Sequence, residues 1–539
     1  MSFVQELFFK EKTPGRELLD SIAGGCQEIY ASGVKAGAAS FFASHVFDRL
    51  ERHCVLVAAS YDEAQEYYDE LQFFRSMQQA PGDDAPDVLL FPPLETQPYE
   101  NVLSHCDISS QRLWTLYRLC DTARPALVVT TVQALLQRLL PGSVLIDSCR
   151  TVTCGDEIDR DRLCEDLVAC GYARVSMVED RGDVSVRGEV LDLFPPGLDR
   201  PVRIDFFGDI VESIRLFDPA TQRSCADLRA VELVPVREII LRDDVVQSCE
   251  TRAAQASRAG LFATAKGRSF LDNIKNGFLP SGVEFALDVI YDEPETFFDY
   301  LPGEALFFWC DRKQTEAIVD SFVAEITRHY ASASEERRVV SAPQDLYVGL
   351  DGFDGLPVPH QQIFFESFAV ERRDTRLIKF NSRANDDIRQ EMIACASQSG
   401  ALGTLVERLE QWQENGIRTC IVCHTPSQCR RLAEMLQEYG LETSAAHERS
   451  FNEAVSMAGD GRIELLIGQL SRGFRYEDGL LVLITEEEIF GEKKRRRAAP
   501  RMKVGTAISD FSDLKEGDYV VHRDNGIGVY LGLETLDAG

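Results

Sequence analysis

The stretch Gly33-Val34-Lys35-Ala36-Gly37-Ala38-Ala39-Ser40 has the outline of a phosphate-binding loop placed just before an α/β sheet. A working loop reads Gly, four residues, Gly-Lys-Ser/Thr, so that backbone N–H groups and the lysine hold phosphates and the hydroxyl holds Mg²⁺. Here Ala38 replaces the second glycine, Ala39 replaces the lysine, and only Ser40 is retained. Glycine-rich loops are common outside nucleotide sites, so a degenerate site and an ordinary loop are both open at this point.

The segments that follow this loop alternate between short apolar runs and helical patterns. Runs of this kind are typical of buried parallel strands, and the alternation predicts a doubly wound parallel sheet. The predicted strands are Cys54–Ala59, Val88–Phe91 and Ala126–Thr131. The predicted helices are 41–50, Tyr61–Phe74 and Val132–Leu140, the last stopped by Pro141-Gly142.

A second feature favours the degenerate-site interpretation. Motor ATPases end a buried strand with Asp-Glu, which handles Mg²⁺ and the attacking water. The apolar run Ala305–Cys310 ends instead in Asp311-Arg312. The sequence therefore predicts a helicase-like fold, of the phosphate-loop NTPase type, that does not hydrolyse ATP.

Two further modules are predicted beyond this sheet. From Val184 to Phe217 the pattern is strand and turn, and Gly208-Asp209 separates two alternating runs, which indicates an inserted antiparallel module. The core-facing residues of this hairpin are predicted to be Val202, Ile204, Phe206, Ile210, Ile214 and Leu216. Strands at 419–423, 463–467 and 480–484 predict a second, smaller α/β unit, whereas 336–385 is weakly patterned and is predicted to be a connector.

Composition excludes several classes of protein. The chain has 539 residues, 57 Lys+Arg and 88 Asp+Glu, and the resulting charge of −31 is unsuited to coating nucleic acid. There is no signal-peptide pattern and no apolar run of the ~20 residues that span a bilayer, so a cytoplasmic protein without a membrane contact is predicted. The 15 cysteines are predicted to be reduced thiols, and Cys420 and Cys423 to lie in a buried strand rather than in a zinc or redox site.

Long stretches of the chain resemble the bacterial transcription-repair coupling factors, and the resemblance is collinear over nearly the whole sequence. It is carried by Gly33–Ser40, Tyr61–Phe74, Leu90–Tyr99, Arg112–Tyr117, Val128–Leu139, Arg181–Pro195, Phe297–Pro302, Leu470–Phe474, Ile484–Gly491 and Gly517–Leu533.

The resemblance implies a domain organisation. A UvrB-homologous module that has lost its nucleotide site is expected over 1–145 and 241–335, interrupted by an inserted α+β domain over 146–240 that docks UvrA. A connector over 336–385, a third α/β domain over 386–492 and a basic linker over 493–512 follow. The start of a Tudor-like barrel that contacts the RNA polymerase β subunit is expected over 513–539, and the sequence is expected to be truncated within that barrel.

The function implied by the resemblance is that of a monomeric adaptor in transcription-coupled nucleotide excision repair. ATP, Mg²⁺ and contact with upstream DNA are expected only for the family's translocase motor, which these residues do not include. No cofactor is therefore expected here, and whether the chain is itself an enzyme stays open. The alternative is a UvrB-like, ATP-dependent DNA-loading protein, but Ala38-Ala39 and the short segment 72–88, which has no aromatic hairpin, speak against it.

The residues predicted to contact UvrA are Arg187, Arg174 and Arg181. We predict that Arg187 projects from a strand whose core face is formed by Val184, Val186 and Val190, because an Arg fork suits carboxylate pairing at an interface. A solvated strand arginine is the alternative, and Ser185 stands where related proteins often carry a second Arg.

Two further predictions concern the end of the chain. Leu536 is either an apolar anchor for the polymerase β subunit or a core residue of the barrel. The basic run Lys493–Arg497 is predicted to be a charged linker, with a contact to DNA or polymerase as the alternative.

Overall fold

The computed structural model describes residues 8–50, 52–76, 88–121, 124–255, 259–368, 376–395, 402–445, 451–458, 461–491, 519–522 and 526–529. It divides into two compact units, Met1–Ile489 and Phe490–Gly539. Leu536 and the basic linker 493–512 lie outside the described residues.

A central sheet of seven parallel strands forms the body of the first unit. The strands lie in the order Arg376–Lys379, Glu28–Ser32, Gln361–Glu366, Leu306–Cys310, Cys54–Ala58, Leu127–Thr131 and Val88–Phe91. All neighbouring pairs are parallel, as expected of a sheet with helices on both faces. The parallel sheet and its four strands predicted between residues 54 and 310 are confirmed.

The prediction of a connector over 336–385 is wrong. Gln361–Glu366 is an inner strand of the central sheet, paired on both sides, and Arg376–Lys379 is its edge strand. The strand was missed because Gln361 and Gln362 make its start polar, and its partners lie far away in the sequence.

The helices around the central sheet include two that matter below. The loop helix, Ala38–Leu50, follows the phosphate-loop remnant, and the helix Tyr61–Ser76 packs beside it. The others are Pro14–Ala23, Cys106–Leu119, Val132–Leu136, Gly142–Asp147, Asp243–Ala253, Ala259–Phe262, Ala265–Lys275, Leu287–Ile290, Arg312–Glu335 and Pro343–Leu346, with 3₁₀ turns at Val283–Ala286, Phe297–Tyr300 and Phe353–Gly355.

The helix predicted over Val132–Leu140 is shorter than expected and ends at Leu136. Beyond it the backbone pairs with distant segments, because the N–H groups of Arg138 and Leu139 donate to the carbonyl oxygens of Leu346 (2.8 Å) and Glu295 (2.7 Å). Gly142 begins the next helix, Gly142–Asp147, rather than only closing the preceding one.

The inserted domain is built on a second sheet, here called the inserted sheet. Its six strands lie in the order Ser224–Leu228, Ile210–Phe217, Val202–Phe207, Val190–Leu193, Asp183–Arg187 and Ala173–Arg174. All pairs are antiparallel except the last, and the helix Arg160–Ala169 contacts the strand Asp183–Arg187. Arg150–Thr153 pairs with Ala230–Leu233 in a separate two-stranded ribbon. The predicted hairpin is confirmed.

One residue of that hairpin was assigned to the wrong face. Ile210 was predicted to face the core, but its side chain is 48% exposed. A register shift between Val211 and Ser213 breaks the alternation, so that Val211 and Ile214 are the buried residues.

A third sheet, the distal sheet, forms the predicted second α/β unit. Its strand order is Ser382–Ala384, Phe474–Tyr476, Leu481–Thr485, Arg418–Cys423, Ile463–Ile467 and Thr443–Ala445. The strands predicted at 419–423, 463–467 and 480–484 are confirmed, and Cys420 and Cys423 are buried in one of them. Its helices are Asp386–Cys395, Gly403–Glu414, Pro426–Glu438, Phe451–Met457 and Glu486–Phe490.

The described part of the second unit is an antiparallel hairpin. Tyr519–His522 pairs with Gly526–Val529, with Tyr519 opposite Val529. The Tudor-like barrel expected there stays a prediction. In the described part of the whole chain, no helix combines the length and apolar character needed to cross a membrane.

Candidate functional site

The outer face of the inserted sheet carries Arg187. Strand register places Arg187 opposite Val190 and Ser185 opposite Asp192. On the core side, Val184 lies opposite Leu193 and Val186 opposite Leu191. Val190 therefore shares the face of Arg187, and its predicted place in the core is wrong. The sheet reverses between these two strands in a tight turn, so the pair lies at the end of the hairpin.

The Arg187 guanidinium is exposed but held in place. Its Nε and Nη2 atoms donate to the carbonyl oxygen of Ser176, over 3.1 and 2.7 Å. The Ser185 hydroxyl donates to the same carbonyl oxygen (3.2 Å). A guanidinium held by its own domain loses less freedom when it binds a partner, which favours a role in recognition.

The other two predicted arginines do not join Arg187. Arg174 pairs with Val184 at the edge of the sheet, so it lies on the opposite side from Arg187 although it is exposed. Arg181 is half-buried and its guanidinium lies 5.1 Å from the centre of the Phe194 ring. The structure thus places one of the three predicted arginines on the outer face.

Two exposed apolar side chains on the same face of the sheet as Arg187 were not predicted as site residues. Phe207 and Ile210 face each other across the tip of the hairpin and are 72% and 48% exposed. Asp205 lies opposite Val190, and Phe207 is two residues further along the same strand, so Arg187, Val190, Phe207 and Ile210 share one face. The alternation of Val202, Ile204 and Phe206 already implied that Phe207 points away from the core. Exposed aromatic residues beside an arginine are typical of binding hot spots.

An ion-pair ladder continues this face across the sheet. Arg203 donates from Nε and Nη2 to the two carboxylate oxygens of the buried Asp192, over 2.7 and 2.8 Å. Arg215 forms an ion pair with Asp205, which also accepts from the Ser213 hydroxyl (2.6 Å). The hydrogen bond to Asp192 raises the pKa of Arg203. On this face Arg203 and Arg215 each pair with a carboxylate, whereas Arg187 donates to a carbonyl oxygen.

The phosphate-loop remnant has the backbone of a tight loop. Gly33 has φ of +78°, and a Cβ atom there would lie 2.1 Å from the carbonyl oxygen of Phe380. The N–H groups of Gly33 and Val34 donate to the carbonyl oxygen of Glu366 (2.8 and 3.2 Å). The N–H of Lys35 donates to the Ser382 hydroxyl (3.2 Å). These donors are therefore bound to the chain itself rather than directed at a ligand.

The chemistry of the remnant loop does not fit MgATP. Ala38 and Ala39 are buried, and the hydroxyl of buried Ser40 donates to Glu70 Oε2 (2.5 Å). Burial raises the pKa of Glu70 to about 7, despite hydrogen bonds that lower it. A carboxylate beside Ser40 repels phosphate, and no lysine is present in the loop position to offset it.

Asp311 and Arg312, the second feature that predicted a degenerate nucleotide site, also have structural roles. Asp311 caps the helix Arg312–Glu335 by accepting the N–H of Gln314 (3.1 Å). The buried Arg312 donates to Tyr30 Oη (2.7 Å), Glu316 Oε1 (2.7 Å) and Asp354 Oδ1 (2.6 Å). Arg312 thus ties the start of its helix to the strand Glu28–Ser32. Among the described residues, no group of three or more His, Cys, Asp or Glu side chains is arranged to hold a metal ion.

Two family models match the chain. Residues 151–238 match the UvrB interaction domain, and residues 514–539 match the CarD-like/TRCF RID domain. The first match contains the outer face of the inserted sheet. The second contains Leu536 and the described hairpin.

Curated relatives named transcription-repair-coupling factor match nearly the whole chain. The protein from Myxococcus xanthus is 32% identical over 531 residues, which is 97% of this chain and 44% of the relative. The chain is a relative of the transcription-repair-coupling factors. Those of Escherichia coli and Haemophilus influenzae are each 29% identical, over 92% and 84% of this chain and 41% and 38% of their own lengths.

The chain thus spans less than half of the length of the transcription-repair-coupling factors it matches. A solved structure titled "Structure of S. tokodaii Xpd4" covers 84% of the chain at 10% identity, but its TM-score of 0.20 is too low to support a fold assignment.

Proposed function

We propose that the chain acts as an adaptor in transcription-coupled nucleotide excision repair. In this proposal the inserted domain binds UvrA and the terminal unit binds RNA polymerase through its β subunit. The protein works in the cytoplasm as a monomer. The names of the relatives and of the two matching family models support the pairing of these partners.

The proposed binding of UvrA rests on the outer face of the inserted sheet. It presents an anchored, exposed Arg187 on the same face as the exposed Phe207, within the region that matches the UvrB interaction domain. Protein-binding surfaces combine charged groups, which orient the partner, with apolar side chains that become buried on binding. The Arg187 guanidinium and the Phe207 ring supply these two parts.

The test is retention of purified UvrA on the immobilised 539-residue chain, without ATP. The wild-type chain is expected to retain UvrA, and Arg187→Ala is expected to weaken binding about tenfold or more, since an interface Arg hot spot contributes about 2 kcal/mol. Arg162→Ala is the matched control, because Arg162 is an exposed arginine on a helix of the same domain. Absence of UvrA retention by the wild-type chain, or equal retention by Arg187→Ala, would contradict the proposal.

The remaining activities of the family belong in this proposal to a motor outside these residues. ATP hydrolysis, Mg²⁺ binding and the push on upstream DNA are assigned to that motor, and the central sheet serves as a scaffold without a cofactor. The Ser40–Glu70 hydrogen bond and the alanines at 38 and 39 support this division. Micromolar binding of MgATP by the chain would instead favour the UvrB-like DNA-loading alternative.

A further inference from the structure

The distal sheet and its helices, here called the distal domain, contact the phosphate-loop remnant through the Ser382 hydroxyl and through the turn Leu470–Gly473, here called the docking turn. The N–H of Gly37 in the loop donates to the carbonyl oxygen of Arg472 (3.2 Å). A Cβ atom on Gly37 would lie 2.7 Å from that oxygen and 2.8 Å from Leu470 Cδ1. Gly37, which precedes the second-glycine position at Ala38, is therefore required by the close approach of the docking turn.

The carboxylate of Glu70 joins the loop to the docking turn. One oxygen, Oε2, accepts from the Ser40 hydroxyl (2.5 Å). The other, Oε1, accepts from the N–H of Ser471 (3.3 Å) and from its hydroxyl. Glu70 is 1% exposed, so the acid beside Ser40 is one that the chain itself supplies.

Apolar packing surrounds these polar contacts. Residues 38–47 of the loop helix are all buried, and Phe41 lies 5.3 Å from Phe474 and 6.2 Å from Phe451, measured between ring centroids. A Cβ atom on Gly468 would lie 2.0 Å from Phe73, so the distal backbone is also in close contact with the helix Tyr61–Ser76. The loop helix is thus enclosed between the central and distal sheets in one continuous core.

We propose that the degenerate nucleotide site has become an intramolecular docking site whose ligand is the docking turn. Gly37 allows the close approach of the docking turn and donates to its backbone carbonyl oxygen. Ser40, the retained residue of the loop outline, is linked to Ser471 through Glu70. The site is therefore occupied by the chain, and it fixes the distal domain on the central sheet. This proposal is independent of the UvrA-binding proposal, because it concerns a different face of the molecule.

The first test is backbone hydrogen exchange in the 539-residue chain carrying Gly37→Ala. The added methyl group displaces the docking turn, and exchange at 37–41 and 470–474 is expected to rise about tenfold. Gly303→Ala is the matched control, because a Cβ atom at Gly303 meets nothing within 4 Å. Ser471→Ala, which removes only the bond from the hydroxyl to Glu70, is expected to raise exchange at 470–474 without unfolding either sheet. Exchange at 470–474 that rises no more in Gly37→Ala and Ser471→Ala than in the control would overturn the proposal.

The second test restores the lost chemistry. Ala38→Gly combined with Ala39→Lys recreates Gly-Lys-Ser in the loop, and isothermal titration with MgATP measures whether the site accepts a nucleotide. We expect no binding, because the docking turn and Glu70 still fill the site. Binding of MgATP by this double variant would show that the site is open and would refute the proposal.

Discussion

At the scale of single residues, Glu70 links the stability of the chain to pH. Its carboxyl group is buried among Ser40, Ser471 and the helix Tyr61–Ser76, and its pKa is raised from 4.5 to about 7. The neighbouring titratable groups, Glu66, Tyr67 and Cys310, become negative when they ionise, so they do not offset the effect of burial on the pKa of Glu70. A raised folded-state pKa means that the folded protein binds this proton more tightly than the unfolded chain does.

The sign of the effect follows from that difference. The contribution to stability is fully present below pH 4.5 and is lost as the pH rises through about 7. The variant Glu70→Gln lacks this contribution, so its stability does not fall with pH for this reason. Relative to the wild type, its free energy of unfolding should therefore increase by about 2–3 kcal/mol between pH 4.5 and pH 8. Urea unfolding at both pH values measures it. Asp62→Asn, an exposed acid on the same helix, is the control, and a difference that is equal at both pH values would contradict the prediction.

At the scale of elements, the tip of the inserted hairpin is expected to bind without contributing to folding. Phe207 is 72% exposed, so Phe207→Ser should change the free energy of unfolding by less than about 0.5 kcal/mol. The same change should weaken UvrA retention about tenfold, because it removes the apolar side chain on the same face as Arg187. Phe278→Ser, at a 66% exposed site outside the inserted domain, is the matched control for nonspecific apolar contact. Wild-type retention by Phe207→Ser would exclude the hairpin tip from the interface.

The elements also show what local sequence can predict. Strands with compact apolar runs, such as Cys54–Ala58 and Leu306–Cys310, were predicted within a residue or two because burial on both faces leaves a clear pattern. Gln361–Glu366 was missed because its pairing with Glu28–Ser32 is decided by residues more than 300 positions away. Ile210 was misplaced because the register shift beside Val211 depends on pairing, which the sequence alone does not display.

The same distinction applies to the candidate sites. The missing second glycine and lysine could be read from Ala38 and Ala39, because those positions have fixed roles in a phosphate loop. That the loop binds no nucleotide stays a prediction. The exposure of Arg187 followed from strand alternation. The occupant of the degenerate site could not be predicted, since Ser40 and Ser471 meet through Glu70 only in the folded chain.

At the scale of the whole molecule, the docking site changes how the net charge of −31 is interpreted. The acidic balance disfavours a nucleic-acid surface, and the loop whose outline suggests a phosphate ligand contacts the chain's own Glu70 instead. In the proposed function, the inserted sheet is the binding surface of the first unit, and the central and distal sheets support it.

This arrangement predicts that the central and distal sheets unfold together. Both share a core around the loop helix, and Trp309 in the central sheet and Trp412 in the distal domain report on each separately. In two variants that keep Trp309 or Trp412 as their single tryptophan, with Trp114 also replaced, the midpoints of urea unfolding should coincide. Phe41→Ala, which opens a cavity between the sheets, should lower the free energy of unfolding by about 3–5 kcal/mol and shift both midpoints equally. A shift of the Trp412 signal alone would show that the distal domain folds as an independent unit and that the shared core does not couple the two sheets.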